Sequence, residues 1–196
     1  RDSLSYAAAQ KLYLDNKVAE AAVSLKSYLT NYPNGYYRND ALFFLSDCYI
    51  RDGKELEAVE SLSELASKGH TQYSERVLDK LSSICYKNER WEQAAKAYRQ
   101  LYDETTNAST KKSSASGYVA STLKYGSSAD IVAMADDVET LTEVTDVARR
   151  KARYAKATIL LNEGRKEEAL GIFRVLSTEP KRGEGAGARY RRIEEE

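Results

Sequence analysis

The sequence predicts an all-α chain, an α-solenoid of about five helical hairpins followed by the first helix of a sixth. Three observations carry this expectation. Five short blocks recur: Asn16-Lys17-Val18-Ala19-Glu20-Ala21, Gly53-Lys54-Glu55-Leu56-Glu57-Ala58, Glu89-Arg90-Trp91-Glu92-Gln93-Ala94, Gly126-Ser127-Ser128-Ala129-Asp130-Ile131 and Gly164-Arg165-Lys166-Glu167-Glu168-Ala169. Their last residues fall at 21, 58, 94, 131 and 169, in steps of 37, 36, 37 and 38. A period this steady marks a repeat architecture. Apolar residues on both sides of each block recur at steps of three and four, as one face of a helix requires. Finally, only 2 prolines and 10 glycines interrupt 196 residues, of which 31% are charged.

Each block is a tight turn between two helices, so the units follow in order. The first covers residues 3–36 and the second 39–72. In the second, Ala41, Leu42, Leu45, Cys48 and Tyr49 line one helix, while Ala58, Val59, Leu62 and Leu65 line the other. Gly53 between them suits a helix end, because a residue without Cβ enters the left-handed conformation cheaply. The third unit, 74–108, repeats the pattern with Leu81, Ser82 and Cys85, then Ala94 and Tyr98. The fourth, 111–146, is degenerate: Gly117 is its candidate small position, and the polar stretch 105–116 reads as a longer loop with a frayed helix start. The fifth covers 148–181, and 182–196 reads as the first helix of a sixth. A small residue closing each block lets paired helices approach, and stacking of hairpins makes the continuous core that one hairpin lacks.

Composition excludes several classes. Thirty basic residues balance thirty acidic ones, and 42% hydrophobic content suffices for a core. No apolar run approaches the roughly 18–20 residues of a membrane span. The chain begins with Arg1 and shows no signal sequence, which reads as a trimmed N-terminus. One histidine, His70, and two cysteines, Cys48 and Cys85, give no zinc-type spacing and no disulfide framework, so both thiols read as buried small hydrophobes. No Walker loop, GxSxG or HExxH occurs; Gly183-Glu184-Gly185-Ala186-Gly187 lacks a preceding strand and a Lys-Ser/Thr ending. No enzyme, cofactor or metal is therefore expected.

On these residues the chain resembles the tetratricopeptide repeat (TPR) family. The matching positions are Leu45-Ser46 with Tyr49, Ala58 with Leu62, Leu81-Ser82 with Cys85, Ala94 with Tyr98 and Ala169 with Phe173, with Pro33 and Pro180 near helix closures. The period exceeds the usual 34 and the early Trp is absent, departures that bear on subfamily. The resemblance covers nearly the whole chain and implies a right-handed superhelix that binds a protein or peptide on its concave face. The segment Asn31-Tyr32-Pro33-Asn34-Gly35 is similar to the repeat-joining turn of bacterial envelope TPR proteins, such as the Tol–Pal coordinator and the outer-membrane barrel-assembly lipoprotein. It implies a periplasmic or envelope setting, with a cytoplasmic regulatory module as the alternative.

Placing the family's groove positions on this chain implies a concave face of Tyr6, Gln10, Tyr13 and Leu14 from the first unit. The second gives Asp40, Phe43, Asp47, Ile50 and Arg51; the third Arg76, Asp79, Ser83, Tyr86 and Lys87; the fifth Lys151, Tyr154, Thr158 and Leu161. Leu123 and Lys124 are candidates from the fourth. Tyrosines suit peptide recognition because they offer large amphipathic area at low entropy cost, yet the same rings could pack between repeats, and both readings stand at this point. Tyr6, Gln10, Phe43 and Asp47 occupy positions where chaperone-tail adaptors carry Lys and Asn, so a carboxylate clamp is excluded. The acidic run at 127–147 is followed by the basic run Arg149, Arg150, Lys151, Arg153 and Lys156. Either the two face each other, the favoured reading, or the basic part attracts an acidic partner or nucleic acid. Exposed stacking faces at the chain ends would favour self-association.

Overall fold

The structure, a computed structural model, describes residues 1–179. Among them are ten α-helices and no strand: α1 (Asp2–Leu14), α2 (Val18–Asn31), α3 (Arg38–Arg51), α4 (Glu55–Ser67), α5 (Ser74–Lys87), α6 (Trp91–Glu104), α7 (Ala108–Tyr125), α8 (Ser128–Thr140), α9 (Asp146–Asn162) and α10 (Lys166–Thr178). They pair as five antiparallel hairpins, the repeat that the periodicity predicts. The chain divides into two compact units, α1–α6 up to Glu104 and α7–α10 from Thr105. The helix expected over 182–196 lies outside the described residues.

The turns inside four of the five hairpins share one geometry. Asn16, Gly53, Glu89 and Gly164 all have positive φ, at 61°, 74°, 58° and 82°. In each, the next amide reaches back five residues: Lys17 N–H donates to Leu12 O, Lys54 to Tyr49 O, Arg90 to Cys85 O and Arg165 to Leu160 O, all at 2.8–3.0 Å. This left-handed C-terminal motif reverses the chain in three residues. Only two of the four positions are glycine. The glutamate at 89 therefore carries backbone strain that glycine would relieve, whereas Gly53 has open space around a hypothetical Cβ and fears only the φ. Glu89→Gly is expected to raise stability by about 1 kcal/mol and Gly53→Ala to lower it by a similar amount. Urea unfolding of the two variants checks the opposite signs.

The alanines that close four of the blocks, Ala21, Ala58, Ala94 and Ala169, are each 0% exposed. In the partner helices the facing positions Ala9, Ser46, Ser82 and Ala157 are 0% exposed as well. Small residues on both sides of the crossing let the two axes approach, and the leucines and rings around them fill the remaining space.

The fourth hairpin departs from the others in three ways that correct the sequence reading. Its turn has no left-handed residue: Gly126 lies at φ −68° and Ser127 starts α8 in a capping box with Asp130. Its small position is not Gly117, which is half-buried within α7; the register of Ser82 falls on Val119, which is buried. The polar stretch 105–116 is not a loop, because α7 begins at Ala108, where the Asn107 side chain accepts from Thr110 N–H at 2.9 Å. Within it, Ser113 Oγ donates to Thr110 O at 3.1 Å.

Candidate interaction surface

In unit 1, α1, α3 and α5 are the first helices of the three hairpins, and they carry most of the predicted face. The structure sorts those residues into two groups. Tyr6 and Phe43, expected as exposed groove rings, are 5% and 6% exposed and belong to the core. The physical cause is a residue pair that the sequence reading missed. Tyr37 precedes α3 and Tyr73 precedes α5, one repeat step apart. Tyr37 stacks on Tyr6 with centroids 4.5 Å apart, and Tyr73 stacks on Phe43 at 4.4 Å. Each helix thus begins with a ring laid flat over the ring of the preceding hairpin, a role no side-chain hydrogen bond fills at these helix starts. The signal was present, since tyrosine recurs at that step before the first helices of two consecutive hairpins.

Polar tips of these rings are bound by carboxylates. Tyr73 Oη donates to Asp40, Tyr28 Oη to Asp2, and Tyr13 Oη to Asp47 at 2.6 Å. Tyr28 also accepts the Tyr37 backbone N–H at 3.0 Å. Gly35 closes this node: a Cβ there would stand 2.4 Å from the Tyr28 hydroxyl oxygen, so the 31–35 turn needs glycine for close approach. Burial first, then the accepting carboxylate, pushes Tyr13, Tyr28 and Tyr73 up to about 12. Tyr6 is raised too, chiefly by burial and then by the charge of Asp40.

The predicted residues that stay accessible in unit 1 form rows at the repeat step. Tyr13, Ile50 and Tyr86 are half-buried; Leu14, Arg51 and Lys87 are exposed beside them. Gln10 and Asp47 lie half-buried in a third row with exposed Ser83. Several of the charges are already engaged. Arg51 pairs with Asp47 at 2.9 Å and lies over the Tyr13 ring, and Lys87 reaches Glu55 at 3.3 Å. Arg76 is exposed with its guanidinium 4.8 Å from the Phe43 centroid, and Asp79 is exposed one turn further along α5. Tyr86 packs edge-on against Trp91 and Tyr98.

In unit 2, Lys151 is exposed, while Tyr154 is half-buried with its ring edge-on to Phe173. Of the other candidates there, Thr158 and Leu123 are half-buried, and Leu161 and Lys124 exposed. The acidic and basic runs do face each other, Arg153 pairing with Glu139 and Lys156 with Asp136.

The residues considered for chemistry stay apart in role. Cys48 and Cys85 are buried free thiols, and burial pushes Cys48 up to about 11. Cys48 packs among side chains of α1–α3, Cys85 among those of α3–α6. His70 is exposed in the α4–α5 connection and pairs with Glu104. Among the described residues no group of three or more His, Cys, Asp or Glu side chains could hold a metal, and no helix is long and apolar enough to cross a membrane.

Clefts that the sequence did not suggest open on the other side of the hairpins, between successive second helices. One of about 540 Å³ lies between α4 and α6 over Leu81, with Gln93, Lys96, Gln100, Ser63 and Ser67 along it.

No family model matches the chain, and no curated protein matches it. Among solved structures it is similar to a tetratricopeptide repeat protein from Parabacteroides merdae, at 17% identity over 98% of this chain and 73% of that one, with a TM-score of 0.50. A thermophilic TPR protein of Thermus thermophilus aligns over 98% of both chains at 16% identity, with a TM-score of 0.42, too low to add weight. The likeness to the first is one of fold, and with the five hairpins and the turn that four of them share it makes this a TPR-like helical-repeat fold.

Proposed function

We propose that the chain is a non-enzymatic interaction scaffold, and that the face of α1, α3 and α5 in unit 1 binds an extended segment of a protein partner. The observation that carries this reading is the pair of adjacent rows at one repeat step: Tyr13, Ile50 and Tyr86 with apolar surface to offer, beside Leu14, Arg51 and Lys87. Leu14 is 72% exposed, an outlay of apolar surface that no neighbour in the fold explains. Rows at a fixed step suit an extended peptide, whose side chains repeat at a fixed step as well. Gln10, Asp40, Asp47, Arg76 and Asp79 supply polar edges to this face; Lys151 and Tyr154 belong to a corresponding face on α9. The envelope setting rests on the turn at 31–35 and is tested by fractionating cells that express the full-length protein.

The test of binding uses a displayed library of random 12-residue peptides. The parent chain should enrich a sequence family, and Leu14→Asp with Lys87→Glu should bind the enriched peptides at least tenfold more weakly at an unchanged melting temperature. Both residues are exposed, and the Lys87–Glu55 pair lies at the surface, where such a pair contributes little to the fold. Undiminished binding by this double variant would exclude the proposed face.

A further inference from the structure

Counted back from the closing alanine, two positions of the first helix face the preceding hairpin. Sixteen residues before Ala58 and Ala94 stand Leu42 and Leu78; thirteen before them stand Leu45 and Leu81. All four leucines are buried, so these two positions are apolar in the seams of unit 1, with the exposed Lys87–Glu55 pair reaching from α5 to α4. In the fifth hairpin the same positions, sixteen and thirteen before Ala169, hold Arg153 and Lys156. The repeat has replaced two leucines with cations at the seam between the two described hairpins of unit 2, where α8 faces α9.

The carboxylates that answer them lie on the facing helix. Arg153 donates to both oxygens of Glu139 at 2.7 and 3.0 Å, and Lys156 to Asp136 at 2.5 Å. Around them, Arg149 donates to Val138 O and Leu141 O at 3.4 and 3.1 Å, closing the C-terminal end of α8. Glu179, beyond α10, pairs with buried Arg150 and with Arg153. From α7, Lys112 stands 3.9 Å from Glu143, and on α10 Glu168 is held by Arg165. Beneath the ions, Met134, Ala135 and Val138 of α8 form an apolar cluster with Ala148 and Ala152 of α9 and Val119 of α7. The seam is also incompletely filled. A cleft of about 450 Å³ opens over it, with Ala135, Leu160, Ile172 and Val175 as floor and Arg153 and Lys156 at its side.

We propose that the α8–α9 seam is an electrostatic latch, which releases the α7–α8 hairpin from the α9–α10 hairpin in concentrated salt or in acid while the seams of unit 1 stay closed. Asp136 and Glu139 are half-exposed, so mobile ions reach them and weaken their pairs. Acid acts on Glu139. The Arg153 hydrogen bonds hold Glu139 below the usual carboxylate range. Its contribution is therefore complete above about pH 4.3 and is lost as pH falls through the lower folded value. Release uncovers Met134, Ala135 and Val138, which leucine-filled seams would keep covered without any charge.

Hydrogen exchange of the full chain at pH 7, in 0.05 M and 1 M sodium chloride, tests the latch, because the Debye length falls from about 14 Å to about 3 Å between the two. Exchange in α8 and α9 is expected to speed up about five- to tenfold in the higher salt, as loss of two such pairs implies, with α3–α5 unchanged. A variant carrying Arg153→Leu, Lys156→Leu, Asp136→Asn and Glu139→Gln returns the seam to the leucines of unit 1. Its α8–α9 protection should no longer respond to salt. Salt-independent exchange in α8–α9 of the parent, or an equal response in α3–α5, overturns the proposal, and that comparison stands whether or not the variant folds.

Discussion

Phe43→Ala is expected to destabilise unit 1 by about 3–5 kcal/mol, the usual cost of deleting a buried ring. The ring is buried beneath Tyr73, edges against Phe44, and carries the Arg76 guanidinium on its outer side. Removing it leaves a void between α3 and the start of α5 and strips Tyr73 of the surface on which it stacks. Leu14→Ala, on the same side of the hairpins but exposed, should stay within about 0.5 kcal/mol of the parent. Urea denaturation of both variants separates mortar from groove: equal and small losses would return Phe43 to the binding face. The contrast matters for any binding experiment, because a Phe43 variant that fails to bind reports loss of fold.

Raising the pH should unfold unit 1 over a narrow alkaline window. Tyr13, Tyr28 and Tyr73 have their hydroxyls held neutral up to about 12, first by burial and then by the carboxylates they serve. In the unfolded chain they ionise near 10. A folded value above the unfolded one means that the stabilisation is complete below pH 10 and disappears as pH rises from 10 toward 12. Absorbance of tyrosinate should therefore rise in two stages. The late stage belongs to Tyr13, Tyr28 and Tyr73, whose hydroxyls ionise together with loss of helical circular dichroism. Tyr73→Phe removes one of these ionisations and should move the helical transition to higher pH if its lost hydrogen bond to Asp40 costs less than the ionisation it prevents. A single-stage titration with helicity intact at pH 12 would contradict the burial of these rings.

How much could be read from the sequence follows from which forces leave a periodic trace. The closing alanines do, because each crossing needs a small residue at the same place, and Ala21, Ala58, Ala94 and Ala169 are all at the crossings. The left-handed turn leaves a partial trace: Gly53 and Gly164 announce it, but Asn16 and Glu89 adopt the same φ without the same letter. The charge runs flanking 148 were legible as facing partners because they belong to consecutive helices. The aromatic face was half legible. A tyrosine on the first helix of a hairpin has the same spacing whether solvent or the next repeat covers it, and only Tyr37 and Tyr73 decide for Tyr6 and Phe43. The stretch 105–116 misled because serine and threonine favour turns, yet here Ser113 bonds back to the Thr110 carbonyl and Asn107 supplies the cap.

Ala58→Leu, measured by its urea midpoint, tests the central claim that alanines one repeat apart are the crossing points of successive helix pairs. Leucine forms helices nearly as well as alanine, so an uncrowded site would register almost nothing. With Ala58 0% exposed between α3 and α4, the account predicts a loss of about 1–3 kcal/mol from overpacking. A midpoint equal to or above the parent's would mean that the helices do not cross there, and the repeat built on those alanines would fall with it.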